Sequence, residues 1–147
     1  MDIIFKALNN NGYHKDFLIK IGKTEILADT YYFWRDEFAD LLDPYGAVIE
    51  SVSNYLNSWA KKLEELQLDE SIFIPIDFSD EYITGLKVRC SDDTFIIDLG
   101  YIVDINDNVV RVTENEVYTN LNNKVIEVIM SFSEEKKKFI NSLRLTK

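Results

Sequence analysis

Over the first 30 residues the apolar positions fall in three short bursts, "DIIFKAL", "DFLIKIG" and "TEILAD", separated by "NNNG" and "GK". Each burst is rich in β-branched or aromatic residues, and Asn and Gly are the residues that tight turns need. The pattern predicts an opening β-meander. In the second burst Phe17, Ile19 and Ile21 share one face, with Leu18 and Lys20 on the other. From about residue 30 the period lengthens. "TYYFWRDEFADLLDP" predicts a helix with Asp29 or Thr30 as cap and Pro44 as stop. "YGAVIESVSNYLNSWAKKLEELQL" predicts a second and clearer one. Val48, Val52, Tyr55, Leu56, Trp59, Leu63 and Leu66 form one stripe, while Glu50, Asn54, Asn57, Lys61 and Glu64 take the other side. Such a stripe must be buried, and a core-facing seam is the expected use of it.

The second half returns to a period of two. "IFIPIDFSDEY" is extended, because Pro75 disfavours helix at the residue before it. "TGLKVRC", the turn "SDD", the long run "TFIIDLGYIVDI", a turn around "NDN" and "VVRVTE" predict three antiparallel strands. Phe95, Ile97, Leu99, Tyr101 and Val103 alternate onto one face of the long run. Ile96, Asp98, Gly100, Ile102 and Asp104 form a mixed face, which suits a sheet with one side partly in water. The β-branched content of "KVIEVIMSF" favours a further strand over a helix start. "SEEKKKFINSLRL" predicts a closing helix with Ser133 as cap and two glutamates in its first turn. The expected fold class is therefore α+β, with antiparallel sheets built from meanders packed against two or three helices. The 147 residues are expected to form a single globular domain.

Composition narrows the function classes. Apolar residues make up 46% and aromatics 13%, too many for a disordered chain. The lone cysteine, Cys90, rules out an intramolecular disulfide framework and suits a reducing compartment as a buried thiol. "MDIIFKALNNNGYHKD" does not read as a signal peptide, and no run approaches the ~18 apolar residues of a membrane span. A cytoplasmic protein is expected. The formal net charge is −10 and it is unevenly spread. Residues 77–116 hold ten acids against three bases, whereas 117–147 hold three acids against six bases. A field of that sign repels phosphates and anionic lipid and draws in basic partners, although solubility alone would also account for it.

Candidate chemistry is sparse. In "DINDN", Asp104, Asn106 and Asn108 alternate like the first ligands of a calcium loop, but position six is Val109 and position twelve is Asn115. The glycine that permits the sharp turn and the bidentate glutamate are missing, so a hairpin turn is expected there. One histidine, His14, and one cysteine do not make a closed zinc site. No Gly-x-Ser-x-Gly elbow or clustered phosphate-binding glycines occur, and the aromatic segments carry acids rather than the bases a nucleic-acid platform needs. No catalytic residue, metal or cofactor is assigned. Asp98 interrupts a strand interior and either points to solvent or belongs to a binding face.

"FWRDEFADLL" and "FIPIDFSDEYITGLKV" together, in a chain of this size and acidity, resemble small bacterial immunity proteins. Those partner polymorphic or contact-dependent growth inhibition toxins. The resemblance implies a non-catalytic cytoplasmic protein that binds a cognate toxin domain, often a nuclease, and occludes its active site. A basic protein partner is expected, with no direct nucleic-acid or membrane binding. The expected contact region comprises Asp77, Asp80, Glu81, Tyr82, Asp92, Asp93, Asp98, Asp104 and Asp107, with Trp34 and Arg35 as further anchors, since Trp and Arg are enriched at interface hot spots. Two alternatives stand beside this reading: a phage-type inhibitor that imitates the charge of DNA, and a small enzyme working through carboxylates.

Overall fold

The computed structural model describes residues 2–8, 17–28, 44–78, 82–102 and 125–144, leaving aside the side chains of 44–51 and of Phe78. It is an α+β protein, with a three-stranded and a four-stranded antiparallel sheet and two helices among the described residues. The chain divides into two compact units, Met1–Glu65 with Lys137–Lys147, and Leu66–Lys136.

The first unit contains the opening meander. Strands β1 (Ile3–Ala7), β2 (Phe17–Ile21) and β3 (Thr24–Ala28) pair in that order, residue for residue. Gly22, with φ 59°, opens the two-residue turn between β2 and β3, and its N–H donates to the Asp2 carbonyl at 2.8 Å. Glycine takes this left-handed conformation without the Cβ clash that other residues suffer. Phe17, Ile19 and Ile21 are buried, as their alternation predicts, and Phe5 stacks on Phe17 with ring centroids 6.4 Å apart.

Helix α1 (Pro44–Glu64) carries the predicted stripe. Val52, Tyr55, Leu56, Trp59 and Leu63 are all buried, and Ser53 and Ala60 join them. Leu66 lies beyond the helix end. Pro44 is the first helical residue, a position where its missing N–H costs no hydrogen bond. Whether it also stops an earlier helix concerns residues outside those described. Lys61 and Lys62 occupy the last turn, where they complement the helix dipole. The Lys62 ammonium lies over the Trp59 ring, 4.6 Å from its centroid, and burial lowers its pKa from the ordinary 10.5. Helix α2 (Lys136–Leu143) buries Phe139, Ile140 and Leu143, and Arg144 just after it bonds to Glu64.

The second unit is the larger sheet, in the order β4 (Ser71–Phe78), β5 (Ile83–Ser91), β6 (Thr94–Ile102) and β7 (Glu127–Glu135). Leu86, Val88 and Cys90 on β5 lie opposite Leu99, Ile97 and Phe95 on β6, all buried. Pro75 sits in β4, an edge strand among the described residues, the kind of sheet position where a residue without an N–H is tolerated. The β4–β5 register skips Ile76 and the β6–β7 register skips Ile129, each a β-bulge.

One helix boundary differs from expectation. Ser133, Glu134 and Glu135 are not a cap and first turn; they pair with Ile96, Phe95 and Thr94 as the last residues of β7. The helix begins only at Lys136, whose N–H donates to the Asp93 carbonyl at 3.0 Å. The start of β6 presents backbone groups that these residues satisfy, and ladder hydrogen bonds outweigh the local capping preference. The expected strand "VVRV" lies outside the described residues, and among those described the neighbour of β6 is β7.

Candidate functional site

The outward face of the second sheet follows from its register. With Leu86, Val88, Ile97 and Leu99 committed to the buried side, the alternate residues point the other way. One cross-strand row runs Phe73, Lys87, Asp98, Ser131, and the next runs Ser71, Arg89, Ile96, Ser133. The Ser131 hydroxyl donates to Asp98 Oδ1 at 2.6 Å, and Lys87 is the direct partner of Asp98 on the opposite strand. Arg89 Nη1 is 3.8 Å from Asp69 Oδ1, an exposed pair of small energetic weight. Lys87, Arg89, Ile96, Asp98, Val125 and Ile126 are among the residues lining an open depression of about 500 Å³.

Beside this polar stretch the same face is buried at its two glycines. Gly85 and Gly100 are opposite one another. A Cβ on Gly85 would collide with the Ile74 carbonyl and would meet the Phe73 ring at 2.5 Å; one on Gly100 would collide with the Glu127 carbonyl. Glycine is required at both because backbone or ring passes directly over them.

The expected contact residues separate into three places. Asp77 lies at the end of β4 opposite Thr84, and Tyr82 precedes β5, its ring edge-on to Tyr101 at 6.1 Å. Asp92 and Asp93 form the two-residue turn at the other end of the β5–β6 hairpin, both exposed, with Asp92 at φ 52°. Aspartate tolerates that conformation better than most residues. The two ends of nine-residue β5 lie roughly 27 Å apart at about 3.4 Å per residue. Asp98 is on the outward face between them, half-buried. Asp80, Glu81, Asp104, Asp107, Trp34 and Arg35 lie outside the described residues. Among the described residues the hairpin therefore carries its exposed acids at one end, the Asp92–Asp93 turn, while Asp98 accepts a hydrogen bond from the Ser131 hydroxyl.

Sequence reasoning overlooked Lys87 and Arg89, although their alternation in "LKVRC" already places them on one face. It also overlooked Val128 and Ile129. These are exposed on β7, and nothing in a β-branched run distinguishes an edge strand from a central one.

Cys90 is a buried free thiol. Among the described residues no three His, Cys, Asp or Glu side chains are placed to hold a metal ion. No described helix is long and apolar enough to cross a membrane. No family model matches this chain, nor does any curated protein or solved structure.

Proposed function

We propose that this chain is a non-catalytic, cytoplasmic binding protein that neutralises a basic protein partner, a cognate toxin domain such as a nuclease, by occluding its active site. The observation that carries this reading is the net charge of −10, with its densest acid in residues 77–116. Two exposed acids of that block form the Asp92–Asp93 turn. Acids displayed on a projecting turn steer a basic partner during encounter and add little once contact is made. The outward face adds Lys87 and Arg89, which interrupt the run of negative charge. That favours a surface with mixed contacts over an imitation of the uniform charge of DNA.

The decisive experiment identifies the basic protein that co-purifies with the tagged chain, then co-expresses the two and measures growth. Rescue of growth and isolation of a stable complex are expected; death of the cells despite full expression of both proteins rejects the reading. In the isolated pair, Asp92→Asn with Asp93→Asn should lower the association rate about three- to tenfold at low salt and leave dissociation nearly unchanged. An unchanged on-rate and salt slope would remove the steering role.

A further inference from the structure

We propose that the outer edge of β7 accepts an extended, basic segment of a protein partner as an added strand of the second sheet. This rests on the binding role above and names its surface. The strand order makes β4 and β7 the two edges among the described residues. β4 is poorly suited to further pairing, because Pro75 interrupts it and lacks an N–H. β7, "EVIMSFSEE", holds neither proline nor glycine.

Its side chains are displayed in an unusual way. Val128 is 51% and Ile129 57% exposed, and Val125 just before the strand is 90% exposed. The register on β6 skips Ile129, so this residue faces outward with no Cα partner on the neighbouring strand. A bulge of this kind bends an edge and leaves the extra residue unpaired. Apolar side chains on a sheet edge are a template for strand addition, in which main-chain bonds supply affinity and alternate side chains supply selection.

Charge selects the occupant. Glu127, Glu134 and Glu135 are the charged residues of β7, and all three are acidic. The following Lys136 turns its ammonium over the Phe95 ring, 5.9 Å from the centroid. The full-length antiparallel pairing of two copies, centred on Ser131, is disfavoured, because it sets Glu127 opposite Glu135 of the other copy, twice. Like charges directly opposite destabilise such a pair. A segment with an apolar middle and lysine or arginine towards its ends meets both the valine–isoleucine patch and the glutamates.

The test uses the full ¹⁵N-labelled chain and two synthetic decapeptides of alternating valine and lysine. One is unmodified, and the other is N-methylated at alternate backbone nitrogens, which keeps its charge and removes donors. The unmodified peptide should shift the amides of 127–135 and slow their hydrogen exchange at least about tenfold. The methylated peptide should not. Ile129→Lys, at an exposed position, should abolish the response with the amide spectrum otherwise unchanged, and Val128→Lys serves as the second variant. Equal responses to both peptides, or shifts confined to Asp92 and Asp93, would show charge attraction without strand addition and overturn the inference while leaving the binding role intact. No response to either peptide also overturns it, and the growth assay decides the binding role separately. A chain that sediments as a dimer, and as a monomer after Ile129→Lys, would assign the edge to a second copy and overturn it as well.

Discussion

The two sheets solve the same packing problem differently. β1, β2 and β3 have five residues each, pair without interruption, and bury Phe17, Ile19 and Ile21 by strict alternation. β4 to β7 have eight or nine residues, contain two register shifts, and bury residues on both faces near the β4 end, where Phe73 covers Gly85. Short regular strands need only a binary pattern. Longer strands accumulate twist, and the bulges and glycines are where that twist and the crossing of neighbouring groups are accommodated. The irregular sheet is also the one that carries the described candidate residues, Asp77, Tyr82, Asp92, Asp93 and Asp98.

Mutations can break this comparison at several strengths. The largest expected losses come from large-to-small changes: Phe95→Ala in the long sheet and Phe17→Ala in the short one should each cost about 3–5 kcal/mol in urea denaturation. A loss under about 1 kcal/mol for Phe17→Ala alone would show that the short sheet contributes little to the cooperative unit. Gly85→Val comes next, at roughly 2–3 kcal/mol or more, since Phe73 and the Ile74 carbonyl must yield. Gly22→Ala tests the contrasting case in the short sheet. There the strain is a positive φ rather than a collision, and the expected cost is about 1 kcal/mol.

A smaller effect tests the outward face. A double-mutant cycle with Asp98→Ala and Ser131→Ala should yield a coupling of about 1 kcal/mol. A coupling near zero would mean the bond between β6 and β7 is made equally well to water.

The smallest effect lies in the first unit. Burial lowers the Lys62 pKa, so above the folded value the unfolded chain holds this proton more often than the folded chain does. Stability from this group therefore rises with pH through the window between the lowered folded value and 10.5. Lys62→Met should flatten that rise in urea midpoints recorded from about pH 8 to pH 11. An unaltered slope would assign the rise to other groups.

Much of the fold was legible because the relevant forces are local. β-Branched and aromatic runs between turn residues marked β1, β2, β3 and β5, alternation marked β6, Pro75 marked the extended β4, β-branched content marked β7, and the stripe from Val52 to Leu63 marked α1. The candidate site was less legible. The acids of the hairpin were visible as residue types, yet two-ended placement of Asp77 with Tyr82 and of Asp92 with Asp93 depends on strand length. The bond between Asp98 and Ser131 joins residues 33 apart in the chain, and no local pattern encodes it.

By itself, then, the sequence determined which faces are apolar, where the period changes, and that the protein carries a strong negative charge. These follow from side-chain chemistry and near-neighbour spacing alone. Only the tertiary structure decided that "SEE" extends β7 instead of opening a helix, that Asp98 is the register partner of Lys87, and that Val128 and Ile129 lie exposed on a strand that is an edge among the described residues. Each of those depends on which distant strand completes the hydrogen-bond ladder, and a ladder is a property of two segments together.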